Sequence, residues 1–231
     1  MSAVVPGRFA VKWRLMLSTT HLVLLNLSIA LPAIASLFRI RFPVRAYLPF
    51  LVFIWAGMLN DTVSLIMVVN NKSNLLNSNV YVLFEYFILL AQFAVWSGRS
   101  VVYYLLFAMI GLMVWLWDNV YLNEVTGNNS IFRFTYSMII VFFSLDRFNK
   151  ILIYEKAPLG KNPTFLICTG FILFFAIKGF LESFNIFNVG LSASFFRKIF
   201  FILSVVNLLA NLLYTYAILC LTRKQEFTMP Y

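Results

Sequence analysis

The chain has 231 residues, 62% of them hydrophobic and only 11% charged, with a mean hydropathy of +0.88. Soluble domains are about half apolar and a quarter charged, so this composition excludes an ordinary soluble globule. The net charge of +10 would suggest nucleic acid on a soluble protein. Here the basic residues crowd the ends of apolar runs, where they set topology and meet lipid headgroups, and nucleic acid is not an expected partner.

Apolar blocks of about twenty residues, enough to cross a hydrocarbon core of about 30 Å, occur seven times. They predict spans over 16–38, 46–69, 80–97, 101–121, 131–150, 164–183 and 199–221. The predicted architecture is an all-α seven-transmembrane-helix bundle over 16–221, with a basic extension at 1–15 and a tail at 222–231. Strand-like alternation is missing from the spans, which excludes a membrane barrel, and helices satisfy their own backbone groups in lipid.

The first span follows Arg8, Lys12 and Arg14 and ends near Ala33-Ile34-Ala35, a pattern resembling a signal peptide. Ser18, Thr19, Thr20 and His21 interrupt its apolar run, and removing it would put the more basic loops on the wrong face. It is read as a retained helix, with His21 as an interfacial anchor. Pro43 and Pro49 flank the second start, and Gly57, Asp61 and Ser64 share one face of that span. A polar stretch from Asn70 to Asn79 predicts the next loop.

In the third span Tyr81, Glu85, Gln92 and Trp96 fall in one narrow sector. Ser97-Gly98-Arg99-Ser100 makes a tight connection to the fourth, which carries Asp118 near its end. Thr126 to Ser130 precedes the fifth, with Arg133 near its start and Asp146 and Arg147 at its far mouth. Lys156 to Pro163, with two prolines and a glycine, cannot continue a helix. The sixth span aligns Cys168, Phe171, Phe175, Lys178 and Glu182, and the seventh aligns Ser204, Asn207, Asn211 and Tyr214. The two cysteines have no metal-ligand spacing and are read as core residues.

Odd spans begin and even spans end on the N-terminal face. Counted from there, Glu85 and Lys178 lie five residues deep, and Asp61 and Asn207 eight. Ionisable residues inside a bilayer are costly and turn into the bundle, so each is a candidate for function. Four helices thus each offer a polar seam, and together they predict a polar, aromatic-lined cavity open to the N-terminal side. The candidate ligand-binding residues are Asp61, Glu85, Gln92, Lys178, Glu182, Asn207 and Asn211. Asn207 and Asn211 suit plain interhelical hydrogen bonding, worth about 0.6 kcal/mol each, better than ligand contact. A structural Lys–Glu pair could be replaced by apolar packing at little cost, which favours function for Glu85, Asp61 and Lys178.

Ten basic residues flank the spans on the face of Arg39, Arg99 and Arg147, against seven on the face of Lys72 and Arg197. This predicts the N-terminus outside and the C-terminus in the cytoplasm of a bacterial inner membrane, which makes the cavity periplasmic. Hydrolase motifs are absent, one histidine cannot build a multi-histidine metal site, and the seventh span has no lysine for a retinal Schiff base. No enzymatic activity, cofactor or metal is expected.

Short motifs add a resemblance. Leu31-Pro32 is followed by Arg39-Ile40-Arg41, and Asn79-x-Tyr81-x-x-Phe84-Glu85-Tyr86 opens the third helix. Pro163-x-Phe165 with Gly170, and Asn207-Leu208-Leu209-Ala210-Asn211, complete the order. Over roughly 22–221 the chain resembles an uncharacterised seven-helix integral membrane protein family of Bacteroidetes-type bacteria. The resemblance implies the fold and an inner-membrane location but no activity, and it does not extend to Lys178 or Asp61.

The expected function is a receptor-like or sensory membrane protein. A small ligand enters from outside and contacts Glu85, Asp61 and Lys178. Its other partners are the lipid bilayer and a cytoplasmic or membrane signalling protein. A small-solute or ion transporter or channel is the second reading, and a structural subunit of a membrane complex the third.

Overall fold

The computed structural model describes residues 27–39, 45–123, 125–127, 129–155, 158–187 and 192–221. The 1–15 extension, most of the first span including His21, and the 222–231 tail lie outside these residues. Among the described residues there are seven α-helices and no strand. They are α1 (Ala30–Arg39), α2 (Leu48–Val69), α3 (Leu75–Ser97), α4 (Val101–Leu116), α5 (Ser130–Tyr154), α6 (Pro163–Ile186) and α7 (Ala193–Cys220). A 3₁₀ turn, Leu27–Ile29, leads into α1, and α4 runs on into a π-helical turn, Trp117–Leu122.

Local chemistry sets the helix ends. Gly98, at φ +64°, closes α3 in the left-handed conformation that costs glycine nothing. The Asn162 side chain accepts the Phe165 N–H at 3.1 Å and Pro163 occupies the first turn, which starts α6. Asp118 caps α5 from another element. It is buried at the α4 end, accepts the Phe132 N–H at 2.8 Å, and also receives Asn123 Nδ2 at 2.9 Å. Its charge therefore faces the positive end of the α5 dipole.

α3 starts at Leu75, five residues before the predicted position. The second half of the polar stretch that reads as loop is helical, and Asn74, just before it, and Asn77 find partners on α2. Asn74 Nδ2 donates to Ser64 Oγ at 2.8 Å and Asn77 Nδ2 to Asn60 Oδ1 at 2.9 Å. Glu85 accordingly lies ten residues into its helix, about 15 Å along the axis. α6 runs to Ile186, so Lys178 lies eight residues from the helix end, about 12 Å. Both are deeper than the sequence count placed them.

Neighbour packing runs α1–α2–α3–α5–α6–α7 and back to α1, a closed ring. α4 stands outside it against α3 and α5. Its sequence is apolar all round, and it presents Val101, Leu105, Met109 and Met113 outward. With no hydrophobic drive between helices in lipid, close packing and hydrogen bonds hold such a ring. Gly111 gives room for the Tyr86 ring, whose hydroxyl donates to Phe107 O at 2.5 Å, and Gly170 gives room for Tyr214.

Five helical segments are long and apolar enough to cross a membrane: Arg45–Val69, Leu75–Ser97, Val101–Leu122, Pro163–Ile186 and Arg197–Cys220. Large exposed apolar side chains on these helices form the surface expected against lipid. The described apolar part of the first predicted span, Leu27–Phe38, is shorter. α5 has the length, but any 18-residue stretch of it carries at least three of Arg133, Asp146, Arg147 and Lys150. The all-helical membrane-type fold therefore stands on five segments rather than seven.

Candidate functional site

A cavity of about 410 Å³ lies inside the ring. α2 contributes Gly57, Asp61 and Ser64, and α3 contributes Ser78, Tyr81 and Glu85. Arg133 of α5 and Phe174 and Lys178 of α6 face them. Ser204, Asn207, Asn211 and Tyr214 line the α7 wall. Asp61, Ser64 and Lys178 belong to the final halves of α2 and α6, and Ser78, Tyr81, Glu85 and Arg133 to the opening halves of α3 and α5, so the charged side chains of the cavity lie toward one end of the bundle. Gly57 is required by proximity: a β-carbon there would meet Ile29 and the Tyr81 hydroxyl.

The centre of the site is a buried three-residue relay. Lys178 Nζ lies 3.4 Å from Glu85 Oε2 and also donates to the Tyr136 hydroxyl. Tyr136 in turn donates to Glu85 Oε2 at 2.8 Å. The ammonium also sits over three rings, 4.9 Å from the Tyr136 centroid, 5.3 Å from Phe174 and 5.5 Å from Phe175. Ion pair and ring faces together compensate a cation removed from water. The relay joins α3, α5 and α6 at one depth.

Arg133 forms a second node nearer the helix ends. Its Nη2 donates to Ser78 Oγ at 2.8 Å and Asn79 Oδ1 at 2.9 Å. Asn79 passes the link onward, donating to Val125 O at 2.7 Å and Gly127 O at 2.9 Å. Trp115 Nε1 donates to Asn79 O at 3.0 Å. The buried Asn79 amide thus organises the α4–α5 connection.

Of the seven sequence candidates, Asp61, Glu85, Lys178, Asn207 and Asn211 come together around the cavity. Gln92 and Glu182 are not part of its lining. Gln92 is buried two turns beyond Glu85, where its Oε1 accepts the Phe50 N–H at 2.7 Å and its Nε2 donates to Ala46 O at 2.7 Å. It ties down the start of α2, whose first turn has free N–H groups to satisfy. Glu182 is buried against Asn185, whose Nδ2 donates to it at 3.0 Å. Helical phase correctly aligns these residues with Glu85 and Lys178, but phase says nothing of depth.

Asn211 donates to Ser28 Oγ at 2.8 Å, linking α7 to the chain before α1, while Asn207 makes only a 3.5 Å contact with Asn211. Tyr136 was absent from the candidates. Its signal was available, because Phe132, Tyr136, Ile140 and Phe143 recur at helical spacing and are all buried. Among the described residues no group of three or more His, Cys, Asp or Glu side chains could hold a metal. Cys168 and Cys220 are free thiols, the former fully buried.

At the inner end of the cavity, where Phe53 and Tyr214 line it, the bundle interior becomes aromatic. Phe50, Phe53, Phe171 and Tyr214 pack with centroids 5.4–6.2 Å apart, and Phe93 joins Phe171 at 6.0 Å. At the opposite end Asp146 pairs with Arg99 at 3.3 Å and Lys150 at 2.9 Å. No protein-family model, curated protein or solved structure matches this chain.

Proposed function

We propose that this chain is a receptor-like or sensory membrane protein that binds a small ligand in the Glu85–Lys178 cavity. The observation that carries the reading is the contrast between the two halves of the ring. One half holds a polar cavity; below it the interior is closed by interlocked aromatic rings. Edge-to-face pairs of this kind contribute about 0.5–1.5 kcal/mol each beyond the area they bury. A solute pathway would need polar groups through that layer, so the geometry favours binding over conduction. A ligand that alters the relay would change how α3, α5 and α6 pack, and their far ends carry the Asp146–Arg99–Lys150 cluster on which a partner could read the change.

In the same reading the first span and α5 complete seven crossings of a bacterial inner membrane. α5 then turns Arg133 and Arg147 toward its neighbours and holds Asp146 and Lys150 half-buried near its far end. The basic-residue asymmetry puts the N-terminus and the cavity mouth on the periplasmic side. The order of motifs groups the chain with the seven-helix membrane family of Bacteroidetes-type bacteria.

Purified protein in liposomes tests the proposal. No flux of protons, inorganic ions or small polar solutes is expected across such vesicles. Uptake above that of empty vesicles replaces the receptor reading with the transporter reading. A ligand-dependent rise in melting temperature that persists unchanged in Glu85→Gln and Lys178→Met would move the binding site elsewhere.

A further inference from the structure

The four charged side chains of the cavity differ in what already satisfies them. Lys178 is held by Glu85 and the Tyr136 hydroxyl, so that pair is neutral as a unit. Arg133 is held through Nη2 by two neutral acceptors, Ser78 and Asn79, while its buried Nε has no hydrogen-bond partner. Asp61 is different. Among the described residues its carboxylate makes no ion pair, and its hydrogen bond is a 3.4 Å contact from Asn60 Nδ2. It stands eight residues inside the end of α2, about 12 Å along the axis. A carboxylate at such depth is costly unless positive charge or strong donors reach it.

A second polar group waits in the same cavity. Tyr214 is 3% exposed, and its hydroxyl has no hydrogen-bond partner although it is buried. The Phe50, Phe53 and Phe171 rings hold it in place from the aromatic layer. An unpaired phenol is costly in such surroundings, and a donor or acceptor on a bound molecule would relieve it. The remaining walls are apolar and aromatic, including Phe53, Phe174 and Leu203.

We propose that the ligand of this cavity is an organic ammonium: a protonated amine whose charged head pairs with Asp61 and whose apolar body lies against the cavity's ring faces. The inference rests on the cavity being a binding site and names the class of molecule it takes. An anion is repelled by Asp61 and finds Lys178 already paired with Glu85, while the Arg133 Nη2 is taken up by Ser78 and Asn79 and only its buried Nε is left to meet it. A neutral molecule leaves the carboxylate uncompensated. A bare inorganic cation would be held by one carboxylate and would leave the ring faces without a contact. The ammonium answers both features, since aromatic faces also attract cations.

Calorimetric titration of the purified full chain tests this with three probes of one shape: phenethylammonium, 2-phenylethanol and phenylacetate. Phenethylammonium is expected to bind at least tenfold more tightly than the other two, a difference of about 1.4 kcal/mol. Asp61→Asn is expected to erase that preference while still binding 2-phenylethanol, which also shows that the variant is folded. Asp61→Glu is expected to retain it. Equal affinity for the amine and the alcohol, tighter binding of phenylacetate, or displacement of the amine by equimolar sodium overturns the ammonium assignment. So does an Asp61→Asn variant that keeps the preference. Binding of the alcohol without preference for the amine leaves the cavity reading standing, whereas failure of all three probes at millimolar concentration removes both.

Discussion

Glu85 and Lys178, 93 positions apart in the chain, meet at 3.4 Å inside the helix ring. Each lies far from its helix ends, so neither side chain can reach an interface with water by extending along its helix. The pair therefore depends on Tyr136, whose hydroxyl stands between them, and on the rings around Lys178.

Removing one partner leaves the other charge buried alone. Glu85→Gln and Lys178→Met are each expected to destabilise the detergent-solubilised protein by about 3–5 kcal/mol. The double variant should recover more than half of the summed loss. Tyr136→Phe, which deletes a hydrogen bond to a charged group, should cost about 1.5–3 kcal/mol. Thermal or denaturant unfolding of the set as a double-mutant cycle checks this, and additive losses would show that the pair is not coupled.

Gln92 separates stability from binding. Its side chain satisfies Phe50 N and Ala46 O, so Gln92→Met should cost about 1–3 kcal/mol by stranding buried backbone groups. Ligand affinity at the cavity should stay within twofold of the parent. A tenfold loss of affinity in a folded Gln92→Met protein would return this residue to the binding site.

Asn207 and Asn211 lie one turn apart on α7 yet should respond in opposite ways. Asn211→Ala breaks the 2.8 Å bond to Ser28 and should lower stability by about 0.6–1.7 kcal/mol. Asn207→Ala loses only a 3.5 Å contact and should leave the melting temperature nearly unchanged while altering ligand affinity. Melting curves with and without ligand separate the two effects.

Gly170 faces the Tyr214 ring, and a β-carbon there collides with it. Gly170→Ala should therefore cost about 1–3 kcal/mol through overpacking, against the helix propensity gained. Gly160, with open space around its position, should accept alanine with a change within about 0.5 kcal/mol. Equal effects at the two positions would argue against close approach of α6 and α7.

How legible the site was can be read from single residues. Asp61, Glu85 and Lys178 were visible because a charge inside an apolar run is rare and has few uses. The start of α3 was not, because Asn74 and Asn77 look like loop residues until Asn60 and Ser64 are seen to receive them. Tyr136 was legible as one member of a helical stripe with Phe132, Ile140 and Phe143, but among 26 phenylalanines and 11 tyrosines nothing singled it out as the residue that meets Glu85 and Lys178. Gln92 shared a helical phase with Glu85, and phase alone cannot say that one serves the cavity and the other the start of α2.

The sequence by itself determined the all-helical, membrane-type class and the few interior polar residues, because hydrocarbon solvent penalises every exposed backbone or charged group and so leaves a strong one-dimensional trace. It also determined that Lys178 and Glu182 share a face, since helical periodicity is local. Only the tertiary structure decided which polar side chains pair. Lys178 chose Glu85 and Tyr136 rather than Glu182, and Asp61 remained without an ion pair among the described residues. Those outcomes depend on the rotation and depth of helices relative to one another. Packing between separate helices sets both, and no single helix records them.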